Sequence, residues 1–135
     1  MKVLKTLLIT LIIFGGSKAF SQSKEELIGF WKSCDDDNFM VVEIRLNSQN
    51  KLIGELVGYH HPDGTWTERK SKDRTLVMYN FEYQGELKWK KGKIYDPLAD
   101  RTYRGSIELL NSNLLTATGH WGFFWDDINF KRFSI

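Results

Sequence analysis

Tyr95, Asp96 and Tyr103 form the tightest grouping of polar and aromatic side chains in the 135-residue chain. Two phenols and a carboxylate so close in sequence could orient the polar head of a ligand. Asp96 precedes Pro97, however, and an Asp at such a position builds a turn by accepting backbone N–H groups ahead of it. The turn accounts for Asp96 more simply than the orienting of a ligand head does. The trio is therefore read as candidate ligand contacts, with no catalytic residue among them.

Other groupings carry less chemistry. His60, His61 and His120 are the only histidines. Neighbouring residues of a strand point to opposite faces, so at most one of the adjacent pair joins a site. A tetrahedral zinc site needs three or four placed ligands. With Asp63 nearby these histidines could still be imagined as ligands, but surface loop positions are the simpler expectation. Asp35-Asp36-Asp37-Asn38 offers oxygens without the spaced acidic pattern that positions them around calcium, and reads as a solvated turn. Cys34 is the single cysteine, which excludes an internal disulfide and a cysteine-cluster zinc site. The aspartates after it disfavour a thiolate, so a free or partly buried thiol is expected before a nucleophile or an intermolecular bridge. Glu43 and Glu55 lie on adjacent predicted strands and could pair as acids, although exposed strand charges explain both. There is no G-x-S-x-G elbow and no glycine-rich phosphate loop. No catalytic residue, metal ligand or cofactor site is assigned.

The chemistry that remains is apolar. Five Trp, five Tyr and nine Phe are present, and Tyr79, Phe81, Tyr83, Trp89, Trp121, Phe123, Phe124 and Trp125 crowd the second half. A small β-barrel fills its interior with side chains, so most of these belong to a core. Any that line a cavity would bind an apolar or aromatic small molecule. The candidate ligand contacts are Tyr79, Phe81, Tyr83, Tyr95, Asp96, Tyr103, Trp121 and Trp125. The run Trp121–Trp125 cannot be wholly buried, because alternate strand residues face opposite ways.

These residues need strands to position them, and the hydrophobic period is two. Met40, Val42, Ile44 and Leu46 alternate with Val41, Glu43 and Arg45, the pattern of a half-buried strand. Asn47–Asn50 turns the chain into a second strand, Leu52 to Tyr59, with Gly54 and Gly58 inside it. A polar, irregular stretch runs from His61-Pro62-Asp63-Gly64 to Arg74. Thr75, Val77, Tyr79, Phe81 and Tyr83 then make one face of a strand. Turns are predicted at Gln84-Gly85, at Lys91-Gly92, at Asp96-Pro97 to Arg101, and at Asn111-Ser112-Asn113. Tyr103, Gly105, Ile107 and Leu109 share a strand face, and Ile128–Ile135 closes the chain. Ser23-x-x-Glu26 fits a capping box for one short helical turn. About eight short strands at even spacing, with almost no helix, predict an all-β fold. Consecutive hairpins favour an antiparallel meander closed into a barrel, since closure removes exposed edges.

Residues 1–21 stand apart. Lys2 and Lys5 give a charged start, Thr6–Gly16 is apolar, and Ser17–Ser21 is small and polar. That is the pattern of a secretory signal, and the run is far shorter than the roughly 20 residues a membrane-spanning helix needs. Cleavage is expected after Ser21, or else after Ala19, leaving one domain over 22–135. Loss of Lys2, Lys5 and Lys18 leaves 16 basic against 17 acidic side chains and turns a net +2 into −1. The basicity therefore belongs to the leader, and no nucleic-acid partner is expected. An exported monomer, periplasmic or extracellular, is predicted, with no transmembrane segment after processing.

Gly29-Phe30-Trp31 after the capping turn resembles the G-x-W start of calycin barrels, the lipocalin-type superfold. The resemblance implies that Trp31 plugs one barrel end and that Lys131 or Arg132, from the last strand, lies across its ring. The run Trp89-Lys90-Lys91-Gly92-Lys93-Ile94-Tyr95-Asp96-Pro97, then Arg101-Thr102-Tyr103, is similar to the bacterial exported family called domain of unknown function 2147. Gly29, Trp31 and Gly119-x-x-Gly122 fit the same pattern. The resemblance implies a calycin-like barrel of about eight strands in an exported protein and supplies no activity. A non-enzymatic binder of a small apolar or amphipathic ligand is the leading expectation. An envelope interaction module using Trp121–Trp125 is the alternative, and a small secreted hydrolase comes third.

Overall fold

The computed structural model describes residues 24–34, 39–97 and 99–134. The leader expected at 1–21, the capping role of Ser23 and the Asp35–Asn38 turn lie outside the described residues. A single 3-10 turn, Lys24–Leu27, leads into β1 (Gly29–Ser33), β2 (Phe39–Leu46) and β3 (Leu52–His60). After β4 (Trp66–Glu68) and a second 3-10 turn, Ser71–Asp73, come β5 (Thr75–Gly85), β6 (Lys88–Asp96), β7 (Arg101–Asn111), β8 (Leu114–Trp121) and β9 (Phe124–Phe133).

Every pairing is antiparallel, and β1 pairs with both β2 and β9 while β3 pairs with both β2 and β5. Eight strands thus close a barrel in the order β1-β2-β3-β5-β6-β7-β8-β9. The fold is the closed meander that the period-two pattern predicts. β4 stands outside the ring. It pairs with Gly58–His60 at the far end of β3, and Trp66 packs so closely over Gly58 that a Cβ there would strike its ring. The stretch expected to be irregular therefore contains a short strand that straps the wall.

Two local expectations are corrected. Lys91-Gly92 is no turn: β6 runs unbroken from Lys88 to Asp96, with a bulge between Trp89 and Gly92 and Lys91 at φ +62°. The bulge lays Gly92 flat against the Phe81 ring, which leaves no room for a Cβ. Nor do Thr75, Val77, Tyr79, Phe81 and Tyr83 share one face. A register shift sets Met78 opposite Gly54 and Phe81 opposite Leu52, so three steps on β5 answer two on β3. Asn80 takes φ +64° there, and Val77, Met78 and Phe81 are buried while Tyr79 is only half-buried. A bulge inserts one residue and resets the alternation.

The core is thickest at the end where the chain enters. Trp31 is fully buried, and its Nε1–H donates to the Leu27 carbonyl at 3.0 Å. Arg132 lies over the ring, 4.2 Å from guanidinium carbon to ring centroid, in the place the G-x-W resemblance implies. Its three nitrogens donate to the carbonyls of Glu26, Ile28 and Ser112, at 2.6, 3.0 and 3.0 Å. One side chain therefore ties the entry turn, β9 and the β7–β8 turn together. Burial lowers the Arg132 pKa from its ordinary value, and the charge of Glu26 opposes that shift. Below this plug Phe81, Trp89, Leu52, Leu109 and Leu115 fill the barrel.

Candidate functional site

The opposite end is open. Antiparallel pairing brings together there the start of β2, the end of β3, the start of β5, the end of β6, the start of β7, the end of β8 and the start of β9. They surround a cavity of about 400 Å³. Its inner part is lined by Val77, Met78, Ile94, Ala117, Ile128 and Phe130, and its mouth by Tyr95, Asp96, Pro97, Tyr103, Trp121, Phe124, Trp125 and Asp126. Met40, Tyr59 and Gly119 complete the wall. The volume and the mostly apolar lining with few polar groups fit the usual anatomy of small-molecule sites.

The cavity exists because of what β8 lacks. Inward positions on that strand are Leu115, Ala117, Gly119 and Trp121, opposite Phe130, Ile128, Asp126 and Phe124 of β9. Leu115 and Phe130 are buried and fill the barrel's lower part. Ala117 and Gly119 are too small to fill the level above. A Cβ on Gly119 would meet nothing closer than Tyr103 at 3.6 Å, so the space beside it is free.

At the rim the β8–β9 hairpin carries Trp121, Phe123, Phe124 and Trp125 at 59, 95, 72 and 69% exposure. Trp121 stacks on Phe124 with centroids 6.3 Å apart and planes at 28°. The Arg101 guanidinium lies 5.6 Å from the Trp121 ring centroid. Tyr95 donates its hydroxyl proton to Asp100 at 2.8 Å, and that hydrogen bond raises the phenol pKa above its ordinary value. Asp96 accepts from the Ala99 N–H at 3.3 Å, the turn role its position before Pro97 predicts, while also lining the mouth.

Five of the eight candidate contacts, Tyr95, Asp96, Tyr103, Trp121 and Trp125, line this cavity, and three do not. Phe81 is buried in the core beneath Gly92 and Gly105. Tyr83 belongs to the closed end, where its ring packs 4.9 Å from Trp89 and its oxygen accepts the Leu87 N–H at 3.2 Å. Tyr79 is turned off the inward face by the β5 bulge. The separation has a simple cause, since a strand advances about 3.3 Å per residue and Val77 and Tyr83 sit near opposite ends of the barrel.

Asp126, Met40, Tyr59, Met78, Phe124 and Ile128 were not legible as contacts. A signal for β9 was there: Phe124, Asp126, Ile128 and Phe130 continue one period-two face, which needed the strand to begin before Ile128.

The remaining chemical groupings lie away from this cavity. Glu43 and Glu55 are direct cross-strand partners, both held by Arg45 at 3.3 and 3.6 Å, and Arg74 lies 3.9 Å from Glu55. His60 is not a surface loop residue. It is half-buried on β3 between Phe39 and Phe133, with ring centroids at 6.3 and 5.7 Å. His61 bonds Thr67 Oγ1 at 2.7 Å. Cys34 is a free, half-buried thiol. Among the described residues no three His, Cys, Asp or Glu side chains come together as a metal-binding group.

The family model described as an uncharacterized protein conserved in bacteria, domain of unknown function 2147, matches residues 29–132. The chain belongs to this family. In this member of domain of unknown function 2147 the matched span runs from the G-x-W glycine to Arg132, and so takes in both barrel ends. Among solved structures it is similar to protein HP1028 of Helicobacter pylori, described as belonging to the lipocalin family. The two are 19% identical with a TM-score of 0.61, covering 80% of this chain and 83% of that one. At that identity the likeness speaks for the lipocalin-like fold. No curated protein sequence matches. No helix among the described residues is long and apolar enough to cross a membrane.

Proposed function

We propose that this domain of unknown function 2147 protein is an exported, non-enzymatic carrier or sensor of a small, largely apolar ligand, bound in the open end of its barrel. The observation that carries the reading is the cavity of about 400 Å³, apolar within and ringed by aromatic side chains at its mouth. Export is supported by the charged, apolar and small-residue sequence of residues 1–21. The lipocalin-like fold adds that barrels of this kind have room for one small ligand.

Native mass spectrometry of protein recovered from its own envelope tests this directly. A co-purified small-molecule adduct, displaced by a fluorescent fatty probe, is expected. Gly119→Leu or Ala117→Phe should abolish probe binding while the fold persists, because each side chain grows into free space. Repeated preparations with no adduct and no probe binding would overturn the proposal. The exposed Trp121–Trp125 hairpin supports an interaction module, and the apolar cavity beside it counts against that reading.

A further inference from the structure

We infer that the ligand carries a positive charge: the cavity is built for a cationic amphiphile, with its apolar tail in the barrel and an amine or quaternary ammonium head at the mouth. The inference rests on the cavity reading above and adds the class of head group.

The distribution of charge among the lining residues carries it. Among the described residues, Asp96 and Asp126 are the only charged side chains that line the cavity, and both are acidic. Asp126 is the informative one. It is an exposed residue of the mouth, on the β9 face that also carries Phe124, Ile128 and Phe130, so its carboxylate borders the cavity entrance. Asp127, one residue on, faces outward and accepts the Thr118 hydroxyl at 2.6 Å. No hydrogen bond or ion pair engages the Asp126 carboxylate among the described residues. Asp96 accepts the Ala99 N–H in its turn and contributes charge to the same rim.

The aromatic wall points the same way. Tyr95, Tyr103, Trp121, Phe124 and Trp125 surround the mouth. Ring faces attract cations, more so when the cation is partly desolvated, and a cage of rings is the usual way to hold a quaternary ammonium. The rim already shows this attraction in the Arg101 guanidinium above Trp121. Arg101 does not line the cavity, but its charge partly offsets the two carboxylates. An anionic head would meet two carboxylates and the negative faces of the rings. A neutral head would leave Asp126 unused.

A matched probe series reads the head group alone. Decyltrimethylammonium, decanol and decanoate share one tail, and binding to the processed chain at neutral pH is followed by calorimetry and by tryptophan fluorescence. The cation should bind about tenfold or more tighter than decanoate. Asp126→Asn should erase most of that preference by weakening binding of the cation far more than that of decanol. Arg101→Gln should widen it, and added salt should narrow it. Equal affinities for the three probes, or a preference for decanoate, would overturn the charge inference and leave the apolar cavity standing. Failure of all three to bind would overturn the cavity reading itself. Thermal melting of Asp126→Asn and Arg101→Gln close to the parent confirms that each variant reports on binding.

Discussion

The two ends of this barrel are made of similar residues put to opposite uses. At the closed end Trp31 is wholly buried, its N–H is bonded, and Arg132 covers its ring while donating to three carbonyls. At the open end Trp121 also has an arginine over its ring, yet it is more than half exposed, and the Arg101 side chain makes no hydrogen bond among the described residues. A Trp–Arg pair is thus a plug where backbone acceptors converge and a rim where none do. The number of fixed partners decides the role, because a cation held by three carbonyls cannot swing aside for a ligand.

The same contrast appears one layer deeper. Toward the closed end Phe81, Trp89, Leu115 and Phe130 fill the interior. Toward the open end the facing positions on β8 shrink to Ala117 and Gly119, and side chains no longer meet across the barrel. Stability is therefore concentrated at one end and vacancy at the other.

Breaking the closed end should have the largest effect. Trp31→Ala removes a fully buried indole and should cost about 3–5 kcal/mol, read as a large fall in the thermal midpoint. Gly92→Val should follow, since the Phe81 ring occupies the space of its side chain and overpacking costs about 1–3 kcal/mol. Arg132→Met keeps the stem but strands the Glu26, Ile28 and Ser112 carbonyls, and should cost about 1–3 kcal/mol in denaturant unfolding. An Arg132 variant as stable as the parent would dissolve the distinction between the ends.

At the open end the same kind of substitution should barely touch stability. Trp125→Ala, at a well-exposed position, should change unfolding free energy by no more than about 0.5 kcal/mol while weakening probe binding measurably. The smallest effect is a titration outside both ends. Asp63 accepts from the Thr65 hydroxyl and N–H at 2.6 and 2.9 Å, and chiefly the hydroxyl bond lowers its pKa from the ordinary 3.8. Its folded pKa is the lower one, so the contribution is present above the ordinary carboxylate value and is lost as pH falls through the folded one. Thr65→Val should return the Asp63 pKa toward 3.8, followed by carboxyl NMR shifts. The contribution lost with the hydroxyl bond should appear as a slightly lower melt at neutral pH, a difference that fades as pH falls, while the cavity should not respond.

Much of this architecture is legible in the order of the residues. The alternation in Met40–Leu46 and Tyr103–Leu109 marks inward faces that the barrel keeps, and the turns at Asn47–Asn50 and Asn111–Asn113 fall where asparagine-rich segments predict them. The candidate site is half legible. Tyr95, Asp96, Tyr103, Trp121 and Trp125 gather at one mouth, but Phe81 and Tyr83 join the packed end. Distance along β5 sets Phe81 and Tyr83 toward the packed end, and the β5 bulge turns Tyr79 off the inward face with no turn-like break in composition to announce it.

Strand period and hairpin order follow from sequence alone, because they depend on neighbours a few positions apart. Which end is hollow was decided only in three dimensions. Ala117 and Gly119 are unremarkable in a strand until closure sets them level with the other walls and nothing reaches across. The place of Asp126 at the mouth has the same origin. Period two alone aligns Asp126 with Phe124, Ile128 and Phe130, but only closure of the β8–β9 hairpin into the barrel turns that face to the cavity mouth.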